Sequence, residues 1–223
     1  MCGRFVITLD ASELEMLTGS SPRSEAKCVY NQCPGSSVLV MCSDRSWELL
    51  PWGFEVKMRN GSSRTIINAR SETAGENPLF RRGFRSNRCV VPATGFFEWR
   101  RVGNRSQPYY FKPQSDIGLL FGGLVLERRD GRECLVVLTK SADGWMGEIH
   151  DRSPVVVRPE FLNEWLSSGN AEEELVQRTC MEEERDFLTR HPVSSRVNSV
   201  SENDSDLLLP VEHPAMPRQQ ELF

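Results

Sequence analysis

The chain has 223 residues, of which 39% are hydrophobic and 26% charged, as in a soluble globular protein that buries a substantial core. Its formal net charge of −4 argues against a protein that coats duplex DNA nonspecifically. No apolar run approaches the ~18 residues of a membrane span, and no secretory leader precedes Cys2. We therefore expect a cytoplasmic or nucleoid-associated protein, nuclear in a eukaryote, without a membrane partner.

The first half of the chain mixes strand, helix and turn signals. Asp10 is a predicted helix N-cap with Glu13 at the capping-box position, and Gly19 is the predicted end of that helix. The predicted elements are, in chain order, a strand at 3–8, this helix, irregular backbone at 30–35, strands at 37–42 and 47–52, a polar loop at 56–65 and a helix from Pro78.

From Arg88 onward the pattern is typical of β structure. The predicted elements are strands at 89–92, 95–101, 108–112, 118–126 and 133–139 with a turn at Asp130-Gly131, a helical turn at 143–149, a strand at 155–158, helices at 159–168 and 172–191, and a strand at 193–197. This order predicts one α+β domain over residues 1–210, with a mostly antiparallel sheet or open barrel and flanking helices. Residues 211–223 are predicted to be a flexible C-terminal tail.

The second residue offers unusual chemistry. Removal of Met1, which is usual before a small residue, would leave Cys2 with an α-amine and a thiol on adjacent carbons. An α-amine titrates near ~8 and a thiol near ~8.5, so free amine and thiolate are both expected at neutral pH. The pair can condense with an aldehyde to a thiazolidine, or the amine can act as general base for the thiol in acyl transfer. Position alone does not decide between these chemistries and a Cys2 without function.

Cysteine spacing and charge distribution bear on possible ligands. The seven cysteines are odd in number and scattered, and Cys28 and Cys33 lack a second pair at metal-binding spacing. We therefore expect no disulfide, metal or cofactor. Residues 52–105 hold eleven Lys or Arg against four acids, a local net charge of +7. This asymmetry suggests one basic face for an anionic ligand.

Three further polar residues stand in unusual surroundings. Asn68 ends a short apolar run, and His150 lies in a loop before a strand. Glu98 lies in the apolar strand 95–101, where burial would raise the pKa of its carboxyl and make it a general acid. Spacing alone does not show that these side chains converge on Cys2.

Seven motifs follow one another in order along the chain. They are Met1-Cys2-Gly3-Arg4-Phe5, Tyr30-Asn31 with Pro34-Gly35, Trp52-Gly53, Ile67-Asn68-Ala69-Arg70-Ser71-Glu72-Thr73, Arg88-Cys89 with Pro92-Ala93, Gly95-Phe96-Phe97-Glu98-Trp99, and His150-Asp151-Arg152 with Pro154. Together they resemble the SRAP family, the SOS response-associated peptidases, also called abasic-site processing proteins. Val193-Ser194, Val197-Asn198 and Asn203-Asp204 resemble its C-terminal pattern, so the resemblance extends to about Pro210.

The resemblance implies a DNA-damage function. Family members capture abasic sites in single-stranded DNA through an N-terminal Cys, as a thiazolidine that shields the lesion, and are described as peptidases because Met1 is removed. Here Cys2 would be the nucleophile, Asn68 would hold the sugar and the N-terminus, Glu98 would act as acid and base, and His150 would position or protonate the opened sugar. Slow reversal of the cross-link is also expected.

The same resemblance implies the DNA contacts. The candidates for phosphate contacts are Arg4, Asn31, Arg70 and Arg152, and Trp52 is a candidate for stacking on unpaired bases. The expected partner is single-stranded DNA containing abasic sites, bound by a monomer. Two positions depart from the family pattern: Cys33 stands where a small Ala is common, and Ser153 replaces a frequent Met before Pro154.

Two other interpretations stay open at this point. An N-terminal-nucleophile amidohydrolase or peptidase would use the same amine as base and would need an oxyanion hole. A non-catalytic module for single-stranded DNA would bind through the basic segment, and its binding would be indifferent to Cys2→Ala. A glutaminase assay separates the first from DNA capture, and the salt dependence of binding characterises the second.

Overall fold

The computed structural model describes residues 2–23, 27–58, 61–103, 105–115, 117–167, 173–182 and 184–212. The strands within these ranges are β1 (Arg4–Ile7), β2 (Val29–Gln32), β3 (Ser37–Met41), β4 (Trp47–Pro51), β5 (Phe54–Lys57), β6 (Ser63–Ile66), β7 (Asn68–Arg70), β8 (Arg88–Ala93), β9 (Gly95–Val102), β10 (Arg105–Pro113), β11 (Leu119–Glu127), β12 (Glu133–Ser141), β13 (Arg152–Pro154), β14 (Val156–Val157) and β15 (Leu188–Pro192). The α-helices are α1 (Ala11–Thr18), α2 (Ser71–Ala74), α3 (Arg81–Ser86), α4 (Gly144–Gly147), α5 (Leu162–Leu166), α6 (Glu173–Thr179) and α7 (Glu184–Phe187). Short 3₁₀ helices are Pro159–Phe161, Ser195–Asn198 and Ser205–Leu208.

Two mostly antiparallel sheets carry the fold. The five-stranded sheet has the order β15-β10-β9-β1-β2. The eight-stranded sheet has the order β13-β12-β11-β8-β3-β4, with β14 beside β11 and β7 parallel to β12. Strands β5 and β6 form a separate hairpin. The sheets do not close into a barrel, and the predicted α+β class with a largely antiparallel sheet is confirmed.

The inner core is the apolar cluster between the two sheets. It contains Cys2, Phe5 and Phe96 from the five-stranded side, and Phe121 and Val137 from the eight-stranded side. Successive side chains of a strand point to opposite faces, so strands that are buried on both faces carry continuous apolar runs. The unbroken run of buried residues in β11 has this cause.

Most of the helices cover the other face of the eight-stranded sheet, whereas residues of α4 and α7 pack in the inner core. Leu14 of α1, Phe84 of α3 and Trp165 of α5 pack on that other face in a second cluster, the helix-side core. Helix α1 begins and ends as predicted: Asp10 and Glu13 form a capping box, and Gly19 closes the helix with φ +75°.

The C-terminal segment, residues 193–209, covers the outer face of the five-stranded sheet. Val6, Phe97 and Tyr110 pack there against Val197 and Leu207 in a third cluster, the outer core. Residues separated by almost the whole chain are therefore neighbours at the N-terminal strand.

Several predicted elements were wrong. Part of the irregular stretch 30–35 lies in β2, and most of the predicted loop 56–65 belongs to the β5–β6 hairpin. The end of the predicted helix 172–191, from Leu188 onward, lies in strand β15, and the predicted strand 193–197 is partly a 3₁₀ helix. Of the predicted tail, residues 213–223 lie outside the described residues. None of the helices in the described ranges has the length and hydropathy needed to cross a membrane.

Candidate active site

Cys2 lies at the end of the inner core. The ladder between β1 and β9 pairs Arg4 with Phe97, so the two residues before Arg4 run toward the part of β9 that follows Phe97. Cys2 is completely buried. Burial and the negative charge of Glu98 both raise the pKa of its thiol. The thiol therefore stays protonated at neutral pH, and the thiolate expected from an ordinary cysteine pKa is not available.

Glu98 projects from β9 toward the same end of the core. It is 1% exposed, and its pairing partner in β10 is the buried Tyr109. Burial raises the pKa of Glu98 to about 7, while the positive N-terminal amine acts in the opposite direction. The sequence expectation for a carboxyl in apolar surroundings thus agrees with the structure. A group with this pKa can donate or accept a proton at neutral pH.

His150 is half-buried in the turn before β13. The backbone N–H of Arg152 donates a hydrogen bond to its Nδ1 over 3.0 Å. Burial and the positive N-terminal amine lower the pKa of His150, although Asp151 Oδ1, 3.0 Å from Nδ1, opposes them. A neutral ring whose Nδ1 accepts a hydrogen bond carries its proton on Nε2. The Arg152 contact therefore favours a ring that presents Nε2–H as a donor, whereas the Asp151 carboxylate at the same nitrogen favours the Nδ1–H tautomer.

Asn68 begins β7, beside β12. Its Nδ2 lies 3.5 Å from the carbonyl oxygen of Val137, a long contact, and its Oδ1 is buried with no hydrogen-bond partner among the described residues. The preceding Ile67 packs against the inner core that contains Cys2. A buried amide oxygen without a donor is costly, so this atom is suited to receive one from outside the described structure.

Of the four predicted catalytic residues, Cys2 and Glu98 are in direct electrostatic contact, and His150 is the sequence neighbour of Asp151, whose charge acts on Glu98. The carboxylate of Glu98 acts on the Cys2 thiol, and Asp151, beside His150, raises the pKa of Glu98. Asn68 is joined to this group through Ile67 and the inner core. The arrangement places an acid–base carboxyl, a thiol and an imidazole donor at one end of the core.

A family model described as SOS response associated peptidase (SRAP) matches residues 1–200. The chain belongs to the SRAP family. Among its SRAP relatives, the Abasic site processing protein YoaM of Bacillus subtilis is 30% identical over 93% of this chain and 97% of its own length. The Abasic site processing protein YedK of Escherichia coli is 30% identical over 95% of this chain and 100% of its own length.

The SRAP fold is also present in a solved structure. A protein from Bacteroides thetaiotaomicron superposes with a TM-score of 0.77 over 95% of this chain and 100% of its own, at 19% sequence identity. At this identity the likeness concerns the fold alone.

Arg4 and Asn31, two predicted DNA contacts in this SRAP chain, hold the C-terminal segment. Arg4 donates from Nη1 to Asn31 Oδ1 over 2.8 Å and to the Val197 carbonyl over 2.7 Å, and from Nη2 to the Asn198 carbonyl. Asn31 is buried, and its Nδ2 donates to carbonyls of the same segment, including Ser199 over 3.0 Å. Both side chains thus already have structural partners. Phosphate contacts by these residues remain predictions.

The other three predicted DNA contacts differ in accessibility. Trp52 is completely buried against Phe5, with ring centroids 4.8 Å apart, and donates to the Ile67 carbonyl. Its ring offers no exposed face, so the predicted stacking role does not fit its position. Arg152 is 12% exposed and forms a bidentate ion pair with Glu72. Arg70 is exposed, and no described residue pairs with its guanidinium.

The basic segment 52–105 does not form one face. Its exposed cations in the described ranges lie on the β5–β6 hairpin, on β7, on α3 and on the β9–β10 pair. Helix α3 packs on the helix-side core, across the eight-stranded sheet from Cys2. The net charge of +7 counted over residues 52–105 therefore overestimates the positive charge near Cys2.

Glu72 is the residue of this SRAP site that sequence reasoning left without a role. Its carboxylate accepts from Ser141 N–H and from both terminal nitrogens of Arg152. The available signal was an acid in the motif that contains Asn68 and Arg70. In the described ranges, no group of three or more His, Cys, Asp or Glu residues is arranged to hold a metal ion.

Proposed function

We propose that this protein captures abasic sites in single-stranded DNA by forming a thiazolidine between Cys2 and the aldehyde of the lesion. The proposal is carried by one observation, the Cys2 thiol buried against Glu98, whose pKa is raised to about 7. Membership of the SRAP family supports it, as do the names of relatives called abasic site processing proteins. The cross-link would shield the lesion while the DNA is single-stranded.

The reaction begins with removal of Met1, which exposes the Cys2 amine. Met1 lies outside the described residues, so its cleavage, by the protein itself or otherwise, remains part of the proposal. Attack of the amine on the aldehyde carbon gives a carbinolamine, and loss of its hydroxyl leaves an imine. Attack of Sγ on the same carbon then closes the ring. One C–N and one C–S bond form, and the aldehyde oxygen leaves as water with one proton from the amine and one from the thiol.

Glu98 has the pKa needed to move these protons. Its protonated form would donate to the departing hydroxyl, and the resulting carboxylate would accept the thiol proton as sulfur attacks. A nearby base is required because the pKa of the Cys2 thiol is raised. The same carboxyl would protonate sulfur when the ring reopens, which permits slow reversal.

His150 and Asn68 would hold the opened sugar. The Nε2–H expected for a neutral His150 can donate to a hydroxyl or aldehyde oxygen, while the unpartnered Oδ1 of Asn68 can accept from the Cys2 amine or a sugar hydroxyl. The exposed Arg70 lies two residues after Asn68 in β7. It is the best placed of the predicted cations to contact a phosphate. A single strand is favoured because a paired and stacked lesion resists extrusion into a buried site.

The test uses an oligonucleotide with one abasic site, analysed on a denaturing gel. The native protein is expected to give a shifted band, and Cys2→Ala to give none. Cys2→Ser keeps the amine but loses the thiol, so it is expected to give only an imine that borohydride must trap. Cys28→Ala, which removes an exposed thiol, serves as the matched control and should cross-link normally. A Cys2→Ala variant that cross-links like the native protein would overturn the proposal.

Glu98 is tested by rate. Glu98→Gln keeps the volume of the side chain but removes the titrating carboxyl, and general acid–base catalysis is commonly worth ~10²-fold or more. We expect cross-linking to slow by about this factor while binding of undamaged single strands is unchanged. Single-turnover gels check the rate and fluorescence anisotropy checks the binding. An unchanged rate would remove Glu98 from the mechanism.

A further inference from the structure

Glu72 joins two segments that carry separate parts of the site. It lies in α2, which directly follows β7 and therefore Asn68. Its Oε1 accepts from the backbone N–H of Ser141 over 2.7 Å and from Arg152 Nη1 over 2.8 Å, and its Oε2 accepts from Arg152 Nη2 over 2.8 Å. The Glu72 carboxylate thus binds a backbone N–H of β12 and a side chain of β13.

The two contacted residues form the last pair of a ladder. Ser141 in β12 pairs with Arg152 in β13, and the turn beyond this pair contains His150 and Asp151. The turn is closed by one further bond, from Ala142 N–H to the Asp151 carbonyl over 3.0 Å. Glu72 therefore fixes the end of the ladder from which the His150 turn extends.

Arg152 links Glu72 to the imidazole, because its guanidinium binds Glu72 and its backbone N–H binds His150. The Arg152 guanidinium, 12% exposed, is held by Glu72 and also donates to the Thr139 carbonyl over 2.6 Å. The backbone N–H of the same Arg152 donates to His150 Nδ1. Bidentate Arg–carboxylate geometry fixes orientation as well as distance. The position of the backbone N–H that faces Nδ1 thus depends on how the guanidinium is anchored.

We infer that Glu72 is a positioning residue for His150. By anchoring Arg152 it keeps the Arg152 N–H at Nδ1 in competition with the Asp151 carboxylate, which stabilises the tautomer that presents Nε2–H to the site, and it couples this ring to the strand that carries Asn68. The inference rests on the proposed function only for the rate that it predicts. The effect on the His150 ring is a property of the folded chain, independent of any substrate.

A second reading gives Arg152 a phosphate role, with Glu72 as its competitor. The structure favours positioning, because the guanidinium is mostly buried and also bonded to Thr139. The two readings predict different behaviour of Glu72→Gln. If the carboxylate only competes with phosphate, its loss tightens DNA binding and speeds cross-linking. If it positions His150, its loss slows cross-linking.

The experiment is ¹⁵N NMR of the full chain with labelled histidine, run beside single-turnover cross-linking. The His150 signals are assigned with a His150→Gln sample. We expect native His150 to show a protonated Nε2 and an unprotonated Nδ1, and Glu72→Gln to show a mixture of tautomers. Cross-linking is expected to slow about tenfold, within the ~10² that misplacement of a reacting group can cost, without loss of binding to undamaged single strands.

Ser153→Ala is the matched control. Ser153 also anchors β13, by donating to Glu184 Oε1 over 2.6 Å, but it has no part in the contacts that link Glu72 to His150. This variant should keep the native histidine spectrum and cross-link within about twofold of the native rate. An altered His150 spectrum in Ser153→Ala would show that any loosening of β13 has the same effect, and would overturn a specific role for Glu72.

The His150 spectrum of a Glu72 variant decides the matter. A native His150 spectrum in Glu72→Gln overturns the inference, whatever happens to the rate. If Glu72→Gln does not fold, Glu72→Asp replaces it, since it keeps the charge but is too short for the same three contacts. If the native protein does not cross-link at all, the proposed function fails, while the spectra still decide whether Glu72 controls the His150 ring.

Discussion

The two faces of the five-stranded sheet treat polar side chains differently. On the inner face, Glu98 is buried beside the Cys2 thiol, and burial raises the pKa values of both groups. On the outer face, Arg4 and Asn31 are joined to each other and to backbone carbonyls of the C-terminal segment. The inner face disfavours the ionised forms of its titratable groups, whereas the outer face gives its polar groups close hydrogen-bond partners.

Strand β1 therefore has one face toward the reactive groups and the other toward contacts that stabilise the fold. Phe5 of β1 packs into the inner core and Val6 into the outer core. The polar contacts of the outer face stabilise β1, and β1 in turn holds Cys2 against Glu98. We therefore expect substitutions on the outer face to lower stability, and removal of the inner-face carboxyl to raise it.

The largest effect is expected for Asn31→Ala on the outer face. The substitution leaves the Ser199 and Glu202 carbonyls without their amide donor and Arg4 without one acceptor. These three part-buried hydrogen bonds are each worth ~1 kcal/mol, so we expect a loss of about 3 kcal/mol in the free energy of unfolding. Urea denaturation measures it.

Gln114→Ala provides the control for that experiment. Gln114 also donates from its amide to two backbone carbonyls, those of Arg185 and Leu188, but it is exposed. Its loss should cost less than about 1 kcal/mol, because water can replace the amide. Equal losses for the two variants would contradict the special role given to the outer-face contacts.

Glu98→Gln is expected to have the opposite sign and a dependence on pH. The folded protein raises the pKa of Glu98 from 4.5 to about 7, so the contribution of this carboxyl to stability is complete below pH 4.5 and is lost as the pH rises through about 7. At 1.4 kcal/mol per pKa unit the upper limit is about 3 kcal/mol, and we expect about 2 because Gln loses some hydrogen bonding. Thermal denaturation should show the variant more stable than the native protein at pH 8, with the gain diminished at pH 5. A gain that does not depend on pH would refute the ionisation argument.

The smallest effect is expected for Trp99→Phe. Trp99 packs at the rim of the outer core and donates from Nε1 to Asn198 Oδ1 over 2.8 Å, in a position that water reaches. Loss of this bond should cost about 0.5 kcal/mol, the lower end for a single hydrogen bond. Denaturation midpoints compared with those of Asn31→Ala would show whether burial sets the size of the effect. A larger loss than that of Asn31→Ala would reverse the order of importance proposed here.

The sequence predicted most elements whose signals are local. The capping box at Asp10 and the turn at Asp130-Gly131 depend on neighbouring residues, and both the helix and the hairpin are present. The prediction failed where pairing with distant residues determines the secondary structure. Strand β15 reads as helix in isolation but pairs with β10, about 80 residues earlier. In the β5–β6 hairpin the apolar–polar alternation of Phe54–Lys57 is only four residues long and Ser63–Ile66 is polar up to its last residue, so the pattern is too short to identify the two strands.

The candidate site was predictable in its residue types but not in its contacts. The raised pKa expected for Glu98 follows from an acid inside an apolar strand, and the structure agrees. The raised pKa of Cys2 was not predicted, because it depends on burial and on Glu98, which lies far along the chain. The partners of Arg4 come from residues 197 and 198, a distance that no local pattern encodes.

The short connection between Cys2 and its sheet sets the reach of the proposed reaction. Arg4 is fixed in the ladder with β9, and only Gly3 separates it from Cys2. Two residues of extended chain span at most ~7 Å, so the nucleophile works on a short tether. In the proposed reaction a lesion would have to be brought to the buried Cys2, and a flexible strand could deliver its sugar there whereas a stiff duplex could not. Selection among DNA structures would then be made by the stiffness of the substrate.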